Sequence, residues 1–276
     1  MLKTYAFDVD ANLLFTDTKI ILEKKWENGE RKPIDVSQHD YEILKLDTKH
    51  YRHVDNNIEK SMINFRGPGK FEEDIFAAID QNKFAPSWNK FIEANKNASP
   101  LAIITARGHS IEELKTTHKK IIQEILTDDQ REDFLYSMKE RLWQYKTHDE
   151  MIINEYLDNN FYAPCSNEAF LAGIWKELSD SMPDRKNAAF EQFVLHIKSV
   201  FENNYGKNFL AKRKIRVGFS DDSHHNITWL HHHIYTKETG LMRKYPEVLF
   251  RMYDTGETRT APIKFTYTNI KEEEKR

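Results

Sequence analysis

Three short apolar runs, each ending abruptly on polar residues, constrain this chain more than any other feature. Leu2 to Phe7 closes on Asp8 and, one residue later, Asp10. Leu101 to Ile104 closes on Thr105, and Ile215 to Phe219 closes on Ser220, Asp221 and Asp222. Apolar runs of this length read as buried strands that deliver polar side chains at their carboxyl ends. Weaker strands are expected at 248–253 and near 161–163. Helix-period stretches lie between them: 71–81, 87–94 with Ser87 as the cap, 110–126, and 185–201. Strands alternating with helices predict an α/β fold built on a doubly wound parallel sheet. Ligands of such sheets bind beyond the carboxyl ends of the strands, where Asp8, Asp10, Thr105, Asp221 and Asp222 all fall.

Two regions stand outside that alternation. Residues 18–47 read as a hairpin, "KIILEKK" and "RKPIDV" about a turn at Asn28-Gly29, followed by a polar, irregular stretch to Lys70 with the turn signal Gly67-Pro68-Gly69. We take 18–70 as one flap-like insertion. Residues 127–160 are charged and helical and read as a solvated helical insertion, and the tail "KEEEKR" as a frayed charge run. One domain over 1–276 with two insertions is expected, rather than two domains in series.

Composition narrows the function classes. The single Cys165 excludes an intrachain disulfide and fits a reducing compartment. The net charge of −3, with both signs mixed, gives no whole-chain attraction to nucleic acid or to anionic membranes. No apolar run approaches the roughly 20 residues of a membrane span, and the N-terminus lacks the apolar core of a signal peptide. A cytoplasmic location is expected. With nine glycines, the chain carries neither a GxGxxG nor a P-loop.

Two carboxylates within a few ångströms of each other either share a proton or flank a cation. Asp8 and Asp10 at one strand end, with Asp221 and Asp222 at another, suit a hard divalent ion. Mg²⁺ is expected, because it takes few protein carboxylates and keeps places for water and phosphate oxygens. Thr105 adds a hydroxyl for an anionic oxygen. A permanent cation is the missing part.

These residues resemble the haloacid-dehalogenase-like (HAD) hydrolase superfamily in its phosphatase branch. That family shows a strand ending in Asp-x-Asp, a strand ending in Thr or Ser, a Lys at a helix start, and a strand ending in an acidic cluster. Here they correspond to Asp8-Val9-Asp10, Thr105 in "LAIITARG", Lys186 in "DRKNAAFEQFV", and Asp221-Asp222 in "VGFSDDSHHNI". The chain departs from the pattern in "ANLL", where the family more often has Gly-Thr-Leu, and in Asn226, where many relatives carry a second acid. The resemblance covers the core, roughly 1–16, 84–126 and 161–255, and implies a Rossmann-like HAD core. Lys212 and Lys214 compete with Lys186, but they precede the 215–219 strand rather than follow it.

The resemblance implies a Mg²⁺-dependent phosphatase. Asp8 attacks phosphorus and forms an aspartyl-phosphate, and Asp10 serves as general acid and base. Asp8, the Asp10 backbone carbonyl and the Asp221/Asp222 pair hold the metal. Thr105 and Lys186 bind phosphoryl oxygens, with Arg107 assigned to phosphate or to a neighbouring carboxylate, and the Val9 and Ala11 N–H groups assist. The substrate is a phosphorylated molecule of unspecified identity. The alternatives are a catalytically weak binding or regulatory module on the same fold, and a phosphatase acting on nucleic-acid termini.

Plainer readings of the same residues stand beside these. Thr105 can cap the following helix, and Asp221-Asp222 can cap the helix through Trp229. His224, His225, His231, His232 and His233 invite a transition-metal reading, but helical spacing points them around the helix rather than together. The run Lys212-Arg213-Lys214 reads as a solvated strand entry, and Trp88, Trp143, Trp175 and Trp229 read as core.

Overall fold

A computed structural model describes residues 2–142, 148–174, 181–206, 209, 213–236, 238–256 and 263–267. Lys212, Trp143, Trp175 and the tail 271–276 lie outside these residues. The strands are β1 (Leu2–Phe7), β2 (Ile20–Lys25), β3 (Arg31–Val36), β4 (Tyr51–His53), β5 (Leu101–Thr105), β6 (Phe161–Pro164), β7 (Ile215–Asp221), β8 (Val248–Asp254) and β9 (Ile263–Tyr267). The main sheet has the order β6-β5-β1-β7-β8-β9. Its first five strands are parallel and β9 returns antiparallel. β1 is central, and the chain fills one side of it before crossing to the other. That crossing makes a topological switch point, and the crevice there opens at the carboxyl ends of β1, β5 and β7.

Register brings those ends level. Phe7 pairs with Ile103 on one side and with Ser220 on the other, and Asp221 pairs with Asp254. Successive strand residues point to opposite faces, so β1, β5 and β6 feed two cores, while the apolar residues of β7 and β8 enter the first. Ala6, Ala102, Ile104, Val217 and Phe219 pack against helices Met182–Tyr205 and His224–Tyr235. Phe7, Leu101, Ile103 and Tyr162 pack against helices Lys70–Asp80, Trp88–Lys96 and Ile111–Lys120. No helix of the described residues is long and apolar enough to cross a membrane.

The expected strands are all present, with corrections elsewhere. The described residues of 127–160 are helical as expected, but they are not simply solvated. Helices Asp128–Leu142 and Asp149–Asn159 join the second core through Phe134, Met138, Ile152, Ile153, Tyr156 and Leu157. A few large apolar residues among many charges are enough to seat them. The stretch 47–70 is not irregular: it supplies β4 and the short helices Ile58–Ser61 and Ile63–Arg66. β4 completes a three-stranded sheet, β3-β2-β4, over a small core of Ile20, Leu22, Val36, Tyr41 and Phe65. Gly29, at φ 84°, allows the hairpin turn. The helix begun by Ser110 ends in a π-helical turn over Ile121–Ile125. Ser87 does not cap its helix by a side-chain bond; its hydroxyl is used elsewhere. Trp88 is core, but Trp229 is 44% exposed and donates Nε1–H to Asp184, so it is not.

Candidate functional site

The chain turns sharply after β1. Val9 O accepts from both Leu13 N (2.9 Å) and Leu14 N (3.2 Å), a wide turn that leaves Ala11 in the left-handed region at φ 55°. The Ala11 N–H donates to Leu14 O at 2.8 Å. It is therefore occupied, contrary to its expected part in holding phosphoryl oxygens.

Asn12, noted in the sequence only as a departure from a family pattern, is the tie of this corner. It is fully buried. Its Nδ2 donates to Asp8 O (2.9 Å) and Ser220 Oγ (3.0 Å), and its Oδ1 accepts from Ser87 Oγ (2.9 Å) and Thr255 Oγ1 (2.8 Å). One amide thus joins the ends of β1, β7 and β8 to the start of the Trp88–Lys96 helix, with its donors and acceptors satisfied inside the protein. Only its burial shows this role; in the sequence it is one more polar residue after a strand.

Asp8, Lys186, Asp221 and Asp222 come together. Lys186, in the second turn of the Met182–Tyr205 helix, has Nζ 2.9 Å from Asp8 Oδ1 and 2.7 Å from Asp221 Oδ2. Carboxylate oxygens of Asp8, Asp221 and Asp222 all lie within 4.8 Å of one another. Lys214, by contrast, is exposed at the amino end of β7. Asn226 stands beside this group as a donor. Its Nδ2 lies 3.0 Å from Asp221 Oδ1 and 3.2 Å from Oδ2, and Ser223 N also donates to Oδ1 at 2.9 Å. An amide here compensates Asp221, where a second acid would repel it. The helix N-cap is Ser223 rather than either aspartate.

Asp10 has a different partner. Arg107 holds it bidentately, Nε to Oδ2 at 2.9 Å and Nη2 to Oδ1 at 2.7 Å, and Thr16 Oγ1 donates to Oδ1 at 2.5 Å. Arg107 is fully buried and also reaches Asp74 Oδ2 through Nη1 at 2.7 Å. Arg107 therefore takes the carboxylate arm of its two expected roles; its guanidinium is spent on acids of the protein. Thr105, fully buried, accepts from Arg107 N at 3.2 Å, which leaves its O–H proton for another acceptor. Asp74 and Thr16 had no local signal in the sequence, since each reads as an ordinary polar surface residue.

The two carboxylates of the Asp-x-Asp pair are driven apart in acidity. Burial pushes the Asp8 carboxyl well above the usual carboxylate range, and Asp221, Asp222 and Asp10 add to that rise against the pull of Lys186. Asp222 is raised to about 7, by burial and then by Asp221. Burial would also raise Asp10, but the charge and hydrogen bonds of Arg107 outweigh it and hold Asp10 below the ordinary value. Lys186 is held firmly charged by Asp221 and Asp8 despite burial. Compared with protein-family models, curated proteins and solved structures, the chain matches none.

The donor set suits a hard divalent cation. Three carboxylates converge with one ammonium among them, and burial, reinforced by their mutual repulsion, pushes Asp8 and Asp222 toward protonation. Among the described residues no histidine belongs to such a group of three, so the 224–233 histidines are not gathered as a ligand set. His224 instead bonds Asp254 through Nδ1 at 2.7 Å. The Cys165 thiol is buried and pushed up to about 12, chiefly by burial, so it is not a nucleophile at neutral pH.

Proposed function

We propose that this protein is a Mg²⁺-dependent phosphatase of HAD type that hydrolyses a phosphate monoester through Asp8. The observation that carries this reading is the convergence of Asp8, Lys186, Asp221 and Asp222 at the carboxyl edge of a parallel sheet, from chain positions more than 200 residues apart at their extremes. Phosphoryl transfer asks a protein mainly for position and for neutralisation of charge, and this cluster offers both.

In this reading an Asp8 oxygen forms a bond to phosphorus as the bond from phosphorus to the leaving oxygen breaks. Lys186, already fixed between Asp8 and Asp221, holds a phosphoryl oxygen, and the free proton of Thr105 holds another. Asp8, Asp221, Asp222 and the Asp10 carbonyl would hold Mg²⁺, which when bound offsets the repulsion between carboxylate and phosphate. Water then attacks the aspartyl-phosphate. The phosphorus–Asp8 bond breaks, and Asp10, ionised beside Arg107, accepts the proton of the water. In the first half-reaction Asp10 gives the leaving oxygen the proton it gained from water in the preceding turnover, carried on the lone pair of Oδ2 that Arg107 Nε leaves open.

The test is hydrolysis of a chromogenic phosphate monoester by the purified full chain with Mg²⁺, with chelator, and in Asp8→Asn. Activity that needs both the metal and Asp8 supports the reading. No hydrolysis by wild type across a broad set of phosphate esters overturns it in favour of a binding module on the same fold.

A further inference from the structure

We propose that Asp74 is a positioning residue of this site, acting through Arg107 on Asp10. The proposal rests on the phosphatase reading and adds a residue from the segment between β1 and β5 to its machinery.

The geometry is a chain of paired contacts around one guanidinium. Nε and Nη2 of Arg107 grip Asp10, while Nη1 reaches Asp74. Thr18 Oγ1 donates to Asp74 Oδ2 at 2.5 Å and accepts from Arg107 Nη2 at 2.6 Å. Thr16 Oγ1 repeats the pattern on the Asp10 side, donating to Asp10 and accepting from Nη2 at 3.1 Å. The guanidinium carbon lies 5.1 Å from the Phe65 ring centroid and 5.5 Å from that of Phe71. The aromatic contacts favour the cation over their faces and restrict movement out of its plane. Rotation within the plane is opposed by the acids at its two edges.

Asp10 and Asp74 therefore hold Arg107 from two directions, and only Asp10 reaches the reaction. Asp74 sits on the Lys70–Asp80 helix, and Thr16 and Thr18 lie on the segment leading to β2. Loss of the Asp74 carboxylate lets Arg107 pivot, and Asp10 pivots with it because both of its oxygens are bound to the same rigid fork. A general acid–base needs its oxygen within hydrogen-bond reach of the reacting proton, and a misplacement of about 1 Å costs on the order of a hundredfold in rate.

The experiment compares kcat and KM of wild type, Asp74→Ala, Asp74→Asn and Thr18→Val on the same phosphate ester with Mg²⁺, with folding checked by circular dichroism and thermal melts. Asp74→Ala is expected to lose about tenfold to a hundredfold in kcat with KM little changed, because Asp74 touches no part of the substrate. Asp74→Asn keeps an oxygen for Nη1 and for Thr18, and is expected to recover most of kcat. Thr18→Val, the mildest change, is expected to fall between wild type and Asp74→Ala. A lower melting temperature with kcat unchanged in all three variants overturns the proposal and leaves the phosphatase reading standing. Equal loss in Asp74→Asn and Asp74→Ala also overturns it, since charge rather than position then matters. No hydrolysis by wild type overturns both readings together.

Discussion

Lys186 Nζ lies 2.7 Å from Asp221 Oδ2, with the two side chains 4% and 0% exposed. The contact ties the start of the Met182–Tyr205 helix to the end of β7. It also explains why Asp221 is tolerated without solvent: the ammonium, Ser223 N and the Asn226 amide all donate to it. Asp222 draws on its own backbone N–H and on the charge of Lys186, and burial and Asp221 outweigh them.

Breaking this pair from the lysine side should be costly. Lys186→Met strands Asp221 among groups that cannot supply a charge, and removal of one member of a buried pair costs about 3–5 kcal/mol. Urea unfolding at neutral pH should show that loss. Lys186→Arg should not restore wild-type stability, because a planar fork does not fit a place shaped for a compact ammonium. A cost below about 1 kcal/mol for Lys186→Met would mean that the ion pair is not part of the folded state in solution.

Acid should weaken the fold through His118. Its Nδ1 meets Tyr162 Oη at 2.9 Å and its Nε2 meets Asn95 Oδ1 at 2.7 Å. The Asn95 amide donates to Phe91 O, so Oδ1 faces the ring and Nε2 carries the proton. Burial lowers the pKa of His118 to about 3 from an unfolded value near 6.5. The unfolded chain therefore binds this proton first as pH falls. The stabilisation is complete above about pH 6.5 and drains away between there and pH 3, at about 1.4 kcal/mol per pH unit for one proton. The slope of unfolding free energy between pH 6 and 4 should be smaller by about one proton in His118→Gln. Equal slopes in the two proteins would refute the assignment.

Ala11→Gly should stabilise the protein. At φ 55° an alanine carries a Cβ that crowds the backbone, at a cost of about 1–2 kcal/mol. Glycine relieves that strain and returns part of the gain as entropy of the unfolded chain. A net increase of about 0.5–1 kcal/mol in unfolding free energy is expected, read by denaturant melts. A decrease would show that the turn after Val9 differs in solution.

Much of the sheet was legible in the sequence, for a specific reason. β5 is covered on both faces and appears as an uninterrupted apolar run, while β1, β7 and β8 keep enough apolar residues around Lys3, Arg216 and Arg251 to read as strands. β1 spans Leu2–Phe7 as read, and β5, β7 and β8 differ from expectation only by a residue or two at their ends. The helices Asp128–Leu142 and Asp149–Asn159 are helical as expected, but their burial is not: the high charge hides apolar pairs at helical spacing, Phe134 with Met138 and Ile152, Ile153 with Tyr156, Leu157. The short β4 was missed because three half-buried residues, Tyr51, Arg52 and His53, carry no alternating pattern.

By itself, then, the sequence determined the five parallel strands and the β2–β3 hairpin, though not β4 or β9, and hence that Asp8, Asp10, Thr105, Asp221 and Asp222 stand at strand ends, because periodicity is set by neighbours along the chain. Only the tertiary structure decided who meets whom: that Lys186 rather than Lys214 reaches Asp8, that Arg107 serves Asp10 and Asp74, and that Asn12 bonds Thr255. Those partners are 97 positions apart for Arg107 and Asp10 and 243 apart for Asn12 and Thr255. Such contacts come from the crossing of strands at β1 and from the need to satisfy each buried charge and amide, and neither leaves a trace in local spacing.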